Sequence, residues 1–280
     1  MGESRRPRLG VVGSCNVDLV IRTTSLPRPG ETVLGGDVER LPGGKGANQA
    51  AAAAILGGDV TLIASVGDDA AGEWLVGSLT DRGVDTSLVR RSRRPTGTAF
   101  ITVAADGENE IVVSPGANDD LDPSDSRLDL FDVVVAQLEV APTVVAEAAR
   151  RARRFILNAS PVAGLDDTLL NASDVVIANG VEAASFDVDR LAHCVVTLGA
   201  EGAVHLSLGR EVARARPPRV TPIDTVGAGD VFIAAYALRD AEGAEPADAL
   251  RFAVVAGALA TQARGAQGAL PTREEVESWM

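Results

Sequence analysis

The chain has 280 residues, 46% of them hydrophobic and only 3% aromatic, with a formal net charge of −13. The apolar content suffices for the core of one large or two small domains, the acidic balance argues against polyanion partners, and the scarcity of rings argues against single-stranded nucleic acid. Cys15 and Cys194 are too few and too distant for a disulfide framework or metal cluster and read as buried thiols in apolar, strand-like segments, while His193 and His205 lack ligand spacing and belong to packing or surface.

The opening "MGESRRPRLG" is basic but runs into a short strand-like segment instead of a signal-peptide core. No apolar run approaches the ~18 residues of a membrane span, so the expectation is a cytoplasmic protein without a membrane partner. "LGVVGS" is the first strand. Just past it, "GSCNVDLV" sets Asn16 and Asp18 two residues apart, on one side of an extended chain. Such a pair either faces a ligand or caps a turn. "LPGGKGANQA" (41–50) is a Gly-rich turn entering a helix, but Lys45 is followed by Gly46 where a Walker A loop needs Ser or Thr for magnesium. What remains is a tight turn whose Gly43 and Gly44 backbone can approach a ligand, with Lys45 and Asn48 projecting toward it. An Asn amide both donates and accepts, which suits sugar hydroxyls.

"GANQAAAAAILGG" then reads as a helix ended by Gly57, and "VTLIASVG" as a strand. "GDDAAGEWLVGSLTDRG" predicts a helix capped by Asp68 or Asp69, with Trp74, Leu75 and Leu79 on one face and a stop at Gly83. "DVVVAQ", a helix opened by Pro142 in "PTVVAEAARRAR", "FILNAS", "DVVIAN" and "CVVTLG" continue the alternation. Short β-branched runs buried on both faces and separated by helices predict an α/β fold with a parallel sheet. Two stretches, 16–41 and 96–114, instead alternate apolar and polar residues, the second around an "ADGEN" turn, and predict half-buried strands of a small separate sheet. Beside the carboxyl ends of the main strands, such a sheet would serve as a lid over the ligand crevice. No repeat or disordered linker interrupts the chain, and "RARPPRV" (214–220) is a Pro-stiffened connection. The expected organisation is one domain, 1–280, with inserted lid strands.

"DTVGAGD" (224–230) packs three small residues between two aspartates and opens the apolar helix "VFIAAYAL". Unpaired N–H groups and the positive end of the dipole make such a turn an anion cradle with Asp230 beside it; an ordinary loop with a capping Asp is the alternative.

Taken together, "GSCNVD", "PGGKGANQAAAAAILGG" and "DTVGAGDVF" resemble the signature regions of the ribokinase-like, or PfkB, carbohydrate kinases. "GDDAAGEWL", "TGTAFI", "PGAND", "QLE", "NGVE", "VTLGAEG" and "RGAQGALP" fall in the family's order. The resemblance implies a ribokinase-like three-layer α/β/α sandwich with a mainly parallel central sheet and a small β-sheet lid. It also implies an ATP-dependent kinase using magnesium, most similar to the members that convert D-ribose to ribose 5-phosphate. Other pentoses, deoxyribose, ketohexoses or nucleosides are the alternative substrates, and a non-catalytic sugar or nucleotide sensor is the rival of a different class. Carried over by residue, Asn16, Asp18, Gly44, Lys45, Asn48 and Glu139 would bind the sugar, with Asp230 as base. The amides of Gly227, Ala228 and Gly229 would form the anion hole. Asn179 and Glu182 would help place phosphate and magnesium, although "NGVE" by itself reads as a capping motif. Thr197, Gly199 and Gly202 would line the nucleotide site, together with Gly229. Asp224 and carbonyls near Val226, Ala260 and Gly265 would hold potassium, with Ala269 at a place where many relatives carry a serine ligand. Lids of the family pair, so a homodimer is expected, and the helix dipole should lower the pKa of Asp230. Between Glu182 and Cys194 the chain is shorter than the family pattern, which trims the edge of the nucleotide region.

Overall fold

Alternating strand faces explain the architecture of the computed structural model, which describes residues 6–280; the first five residues of the basic opening segment lie outside that range. A nine-stranded sheet runs β13-β12-β11-β10-β9-β8-β1-β4-β5 across the molecule. Its strands are β1 (Arg8–Val12), β4 (Asp59–Gly67), β5 (Val89–Ser92), β8 (Val133–Gln137), β9 (Phe155–Asn158), β10 (Val175–Asn179), β11 (Cys194–Thr197), β12 (Ala203–Ser207) and β13 (Arg210–Ala215). Pairing is parallel from β5 to β11 and antiparallel only at the β11–β12–β13 edge. Successive residues bury on opposite faces. Val133 and Val135 of β8 enter one core cluster, and Val134 and Ala136 the other.

The first cluster is covered by α1 (Lys45–Ile55), α2 (Ala70–Asp81), α6 (Ala228–Ala241), α7 (Pro246–Ala260) and α8 (Arg273–Ser278). The second lies beneath α3 (Pro142–Arg151) and α4 (Asp167–Asn171). These are the two outer layers of the expected three-layer sandwich. The predicted boundaries rest on visible chemistry: Asp69 caps α2 by accepting from the Gly72 N–H at 2.8 Å, Pro142 opens α3, and Gly57 takes φ +95° just past α1. The Ala run of α1 is a strong helix former with small side chains, so the helix lies close to β4 and α6. Helix α6 is buried from Asp230 through Leu238, which is why its sequence is apolar all round.

The smaller sheet runs β3-β2-β6-β7, from β2 (Asn16–Arg22), β3 (Glu39–Gly43), β6 (Gly97–Val103) and β7 (Asn109–Ser114). Residues 23–38 form no strand. The expected half-burial fails at β7, where all six residues are exposed, including Ile111, Val112 and Val113. A sheet of four strands covers β2 against the main body and leaves its far edge open. Cys15 and Cys194 are both buried, and burial pushes each thiol up to about 12; Cys15 lies in the β1–β2 connection instead of a strand. His193 and His205 pack as a pair, Nδ1 to Nε2 at 3.1 Å. Between β10 and β11 the chain makes only the single turn α5 (Gly180–Ala183), which contains Glu182, and a short 3₁₀ turn at Val188–Arg190. Among the described residues, no helix is long and apolar enough to cross a membrane.

Candidate active site

Strand β1 pairs with β4 on one side and β8 on the other, and the chain reaches those neighbours through connections on opposite faces. A crevice forms at the carboxyl ends of strands where the order switches in this way. Four elements meet there: the β1–β2 connection, the first turn of α1, the residues after β8, and the start of α6.

Gly46 explains why Lys45 is not followed by Ser or Thr. A Cβ there would stand 2.6 Å from the Gly13 carbonyl carbon and 2.7 Å from the Ser14 nitrogen, so only glycine lets α1 dock on the β1–β2 connection. Glu139 fixes that junction from the other side. One carboxylate oxygen accepts both the Ser14 hydroxyl at 2.6 Å and the Lys45 N–H at 3.0 Å. Asn16 is buried, and its side-chain Oδ1 accepts from Asn118 Nδ2 at 2.8 Å; Asn118 Oδ1 also accepts from the Cys15 N–H at 2.9 Å. Asp18 is half-buried on β2, next to Gly43. Burial, with the charges of Glu139 and Asp230, pushes its carboxyl up to about 7.

The turn before α6 depends on Gly227, which has φ +79° and would drive a Cβ to 2.5 Å from the Ala266 Cα. Gly227 is the N-cap residue and contributes no side chain, so Asp230 is not a cap. Instead it sits in the first turn, 7% exposed, with Oδ2 accepting from Asn48 Nδ2 at 2.9 Å and Oδ1 from Gln49 Nε2 at 3.0 Å. The expected dipole-lowered pKa is wrong in sign. Burial raises it, against the opposing effects of Lys45, Asn48 and Gln49.

A cleft of about 150 Å³ opens from Lys45, Gly227, Gly229 and Asp230 toward Asn179, Glu182 and Thr197. Gly199 and Gly202, at φ +59° and +95°, shape the turn beyond Thr197 but do not line it. Ala228 does not line it either, and its N–H donates to the Thr225 carbonyl at 3.2 Å, so an anion there must share or displace that bond. Asn179 and Glu182 do form a capping box: Asn179 Oδ1 accepts from the Val181 and Glu182 N–H groups, and Glu182 accepts from the Asn179 N–H, all at 2.9 Å. The cap and the cleft wall are the same residues. Asp224 bridges two loops, its oxygens accepting from the Val226 N–H at 3.0 Å and the Gly265 N–H at 2.9 Å. The Thr261 carbonyl, just past Ala260, accepts from both Ile223 and Asp224. Ala269 is half-buried four residues beyond Gly265.

Sequence reasoning passed over Ser14, Gln49, Asn118, Gln137, Asn158 and Gln267. Asn158 and Gln137 carried a legible signal, since each is a polar residue closing an otherwise apolar strand at the carboxyl edge.

The family model for pfkB family carbohydrate kinases matches residues 6–273. The ribokinase of Bacillus subtilis is 38% identical over an alignment of 286 residues, which covers 95% of this chain and 97% of that protein. Among solved structures, the ribokinase of Thermotoga maritima superposes with a TM-score of 0.89 at 30% identity, covering 97% of this chain and 98% of that one. The Arabidopsis thaliana ribokinase complexed with ribose and ATP gives 0.87 at 29% identity, covering 98% and 99%.

Proposed function

The chain belongs to the pfkB family of carbohydrate kinases and is a sugar kinase, and on that premise we propose how its crevice works as a ribokinase, passing the γ-phosphoryl group of ATP to the 5-hydroxyl of D-ribose. The supporting observation is the position of Asp230. It stands buried where the polar cluster of Asn16, Asp18, Lys45, Asn48 and Glu139 meets the cleft leading to Asn179 and Glu182. A sugar in the cluster and a triphosphate in the cleft would meet at its carboxylate.

Phosphoryl transfer depends on alignment and charge neutralisation more than on covalent help. Asn16, Asp18, Gly44, Lys45, Asn48 and Glu139 orient the sugar, and Asp230 accepts the proton of the attacking hydroxyl. A carboxylate raised above its usual range by burial is the better base for that transfer. The amides of Gly227, Ala228 and Gly229 face the charge developing on the transferred group, with the positive end of α6 behind them. Thr197, Gly199 and Gly202 border the nucleotide.

The oxygen donors of Asn179 and Glu182 suit magnesium held through water, which would neutralise phosphate charge. Asp224 and the carbonyls near Val226, Ala260 and Gly265 are an all-oxygen set suited to potassium, and both Asp224 oxygens keep lone pairs beyond their backbone bonds. The smaller sheet acts as the lid of one continuous domain and pairs with a second copy through β7. The cytoplasm is the compartment we assign.

ADP release measured across pentoses, deoxyribose, ketohexoses and nucleosides tests the substrate. Ribose should give the highest kcat/KM, and a nucleoside or hexose ahead of it would overturn the ribose assignment.

A further inference from the structure

Three buried side-chain N or O atoms among the described residues lack a hydrogen-bond partner: Gln137 Oε1, Gln267 Oε1 and Arg239 Nε. Two of the three are the outer ends of chains that converge on Asp230. On one side Gln137 Nε2 donates to Gln49 Oε1 at 2.7 Å, and Gln49 Nε2 donates to Asp230 Oδ1 at 3.0 Å. On the other, Gln267 Nε2 donates to Asn48 Oδ1 at 3.0 Å, and Asn48 Nδ2 donates to Asp230 Oδ2 at 2.9 Å. All four amides are buried, and they come from three elements: the N-terminal part of α1, the end of β8, and the loop after α7.

The polarity of both chains follows from what lies between them. An ionised carboxylate only accepts, so each neighbouring amide must turn its N–H inward and its oxygen outward, and the next amide must do the same. The charge is thus caged by donors, and the cost appears as two bare acceptors at the far ends, each an unfavourable burial. Amides that merely filled space would have no reason to align in one direction. A bonded chain of amides also polarises each member, so the outer glutamines strengthen the inner donors without touching the carboxylate. Gly13 keeps the room for this, because a Cβ there would overlap Gln137 Oε1.

We propose that Gln49, Gln137 and Gln267 are positioning residues, which with Asn48 form two inward-pointing amide arms that hold Asp230 ionised and fix the rotation of its carboxylate. The role in catalysis rests on the ribokinase reading; the effect on the carboxylate does not. Burial and the charges of Glu139 and Asp18 favour the protonated form, Lys45 favours the ionised one, and the arms add to Lys45. Asn48 keeps one N–H and one lone pair for a sugar hydroxyl, so its place in an arm is compatible with substrate contact.

Two readouts test the arms in Gln49→Met, Gln137→Met and Gln267→Met, which keep side-chain bulk and remove the amide. The first is a carbon-13 titration of the Asp230 carboxyl in the ligand-free protein, assigned by its loss in Asp230→Asn. Gln49→Met should raise the midpoint by about one pH unit, the loss of one charge-assisted donor, and the two outer variants should raise it less and in the same direction. The second is the acid limb of kcat at saturating ribose and ATP, which should move the same way. Should a core variant fail to fold, Gln267→Met, in the loop after α7, decides. Folded variants with an unmoved Asp230 midpoint overturn the proposal. A moved midpoint in a protein that does not phosphorylate ribose supports the arms and overturns the ribose reading instead.

Discussion

The Ser14 hydroxyl donates to Glu139 at 2.6 Å across 125 positions of sequence, tying the end of β1 to the end of β8. The same carboxylate oxygen holds the Lys45 N–H, so one bond orients a side chain of the proposed sugar cluster while another anchors α1. Ser14→Ala should therefore loosen Glu139 without touching Asp230. A charge-assisted bond of about 1.5 kcal/mol predicts a rise in KM for ribose of about tenfold with kcat little changed. A fall in kcat at constant KM would show that this tie serves the chemical step instead.

Asp230→Asn keeps the shape of the side chain but cannot take a proton. Its amide also has only one acceptor, so one of the two arms from Asn48 and Gln49 must reverse. The fold and ribose binding should survive while kcat collapses. Stopped assays with ribose give the answer: more than about a tenth of wild-type kcat, less than ~1.4 kcal/mol of barrier, would falsify the general-base role.

Asp18 makes stability depend on pH. Its folded pKa of about 7 lies above the ordinary carboxylate value, chiefly through burial and then through the charges of Glu139 and Asp230. Between pH ~4 and ~7 the folded chain retains a proton that the unfolded chain has lost, so stability falls as pH rises through that window. Asp18→Asn should raise the melting temperature of the ligand-free protein at pH 8 and change it little at pH 4. Calorimetry at both values checks the sign, and a destabilised variant at pH 8 contradicts it. Ribose should narrow the gap, because hydroxyl donors favour the ionised wild-type carboxylate.

What the sequence made legible divides along physical lines. Strands buried on both faces announce themselves by composition, and β1, β4 and β8 to β11 all fall where their β-branched runs predict. The β12–β13 hairpin escapes notice. Its turn is Leu208–Gly209, both at positive φ, and although Gly209 suits such a turn, a leucine at φ +47° in the first position is a choice that turn preferences do not signal. The site divides similarly. Charged and Gly-rich motifs stand out by type, whereas Gln49, Gln137 and Gln267 look like ordinary polar residues until the fold brings them together around Asp230, as many as 219 positions apart for Gln267 and Asn48. The raised pKa of Asp230 is hidden for the same reason: the helix dipole is local and readable in sequence, but burial is not.

Lid pairing is predicted by the open β7 edge. Ile111, Val112 and Val113 of β7, and Phe100 of the adjacent β6, are all more than half exposed, with Val112 at 68%, and an apolar edge strand in this state invites pairing with another chain. Sedimentation velocity at micromolar concentration should show a dimer in the presence of ribose, and Val112→Lys should shift it to monomer. A wild-type monomer under those conditions contradicts the assignment.

The last prediction concerns potassium, which would act without touching substrate. Asp224 already links the "DTVGAGD" turn to the loop after α7 through the Val226 and Gly265 amides, and Gly227 leaves no room for slack against Ala266. A cation held by the remaining lone pairs of Asp224 and by the neighbouring carbonyls would add positive charge behind the proposed anion cradle and stiffen the turn that would present it. At Ala269 a methyl group stands where a serine hydroxyl would offer one more oxygen. Potassium should therefore activate the enzyme with a modest apparent affinity, and Ala269→Ser should lower the concentration giving half-activation. A titration at constant ionic strength against sodium and tetramethylammonium isolates the effect from screening. Equal kcat in all three salts would remove the cation from the mechanism, and equal half-activation in the wild type and Ala269→Ser would show that position 269 does not reach the ion.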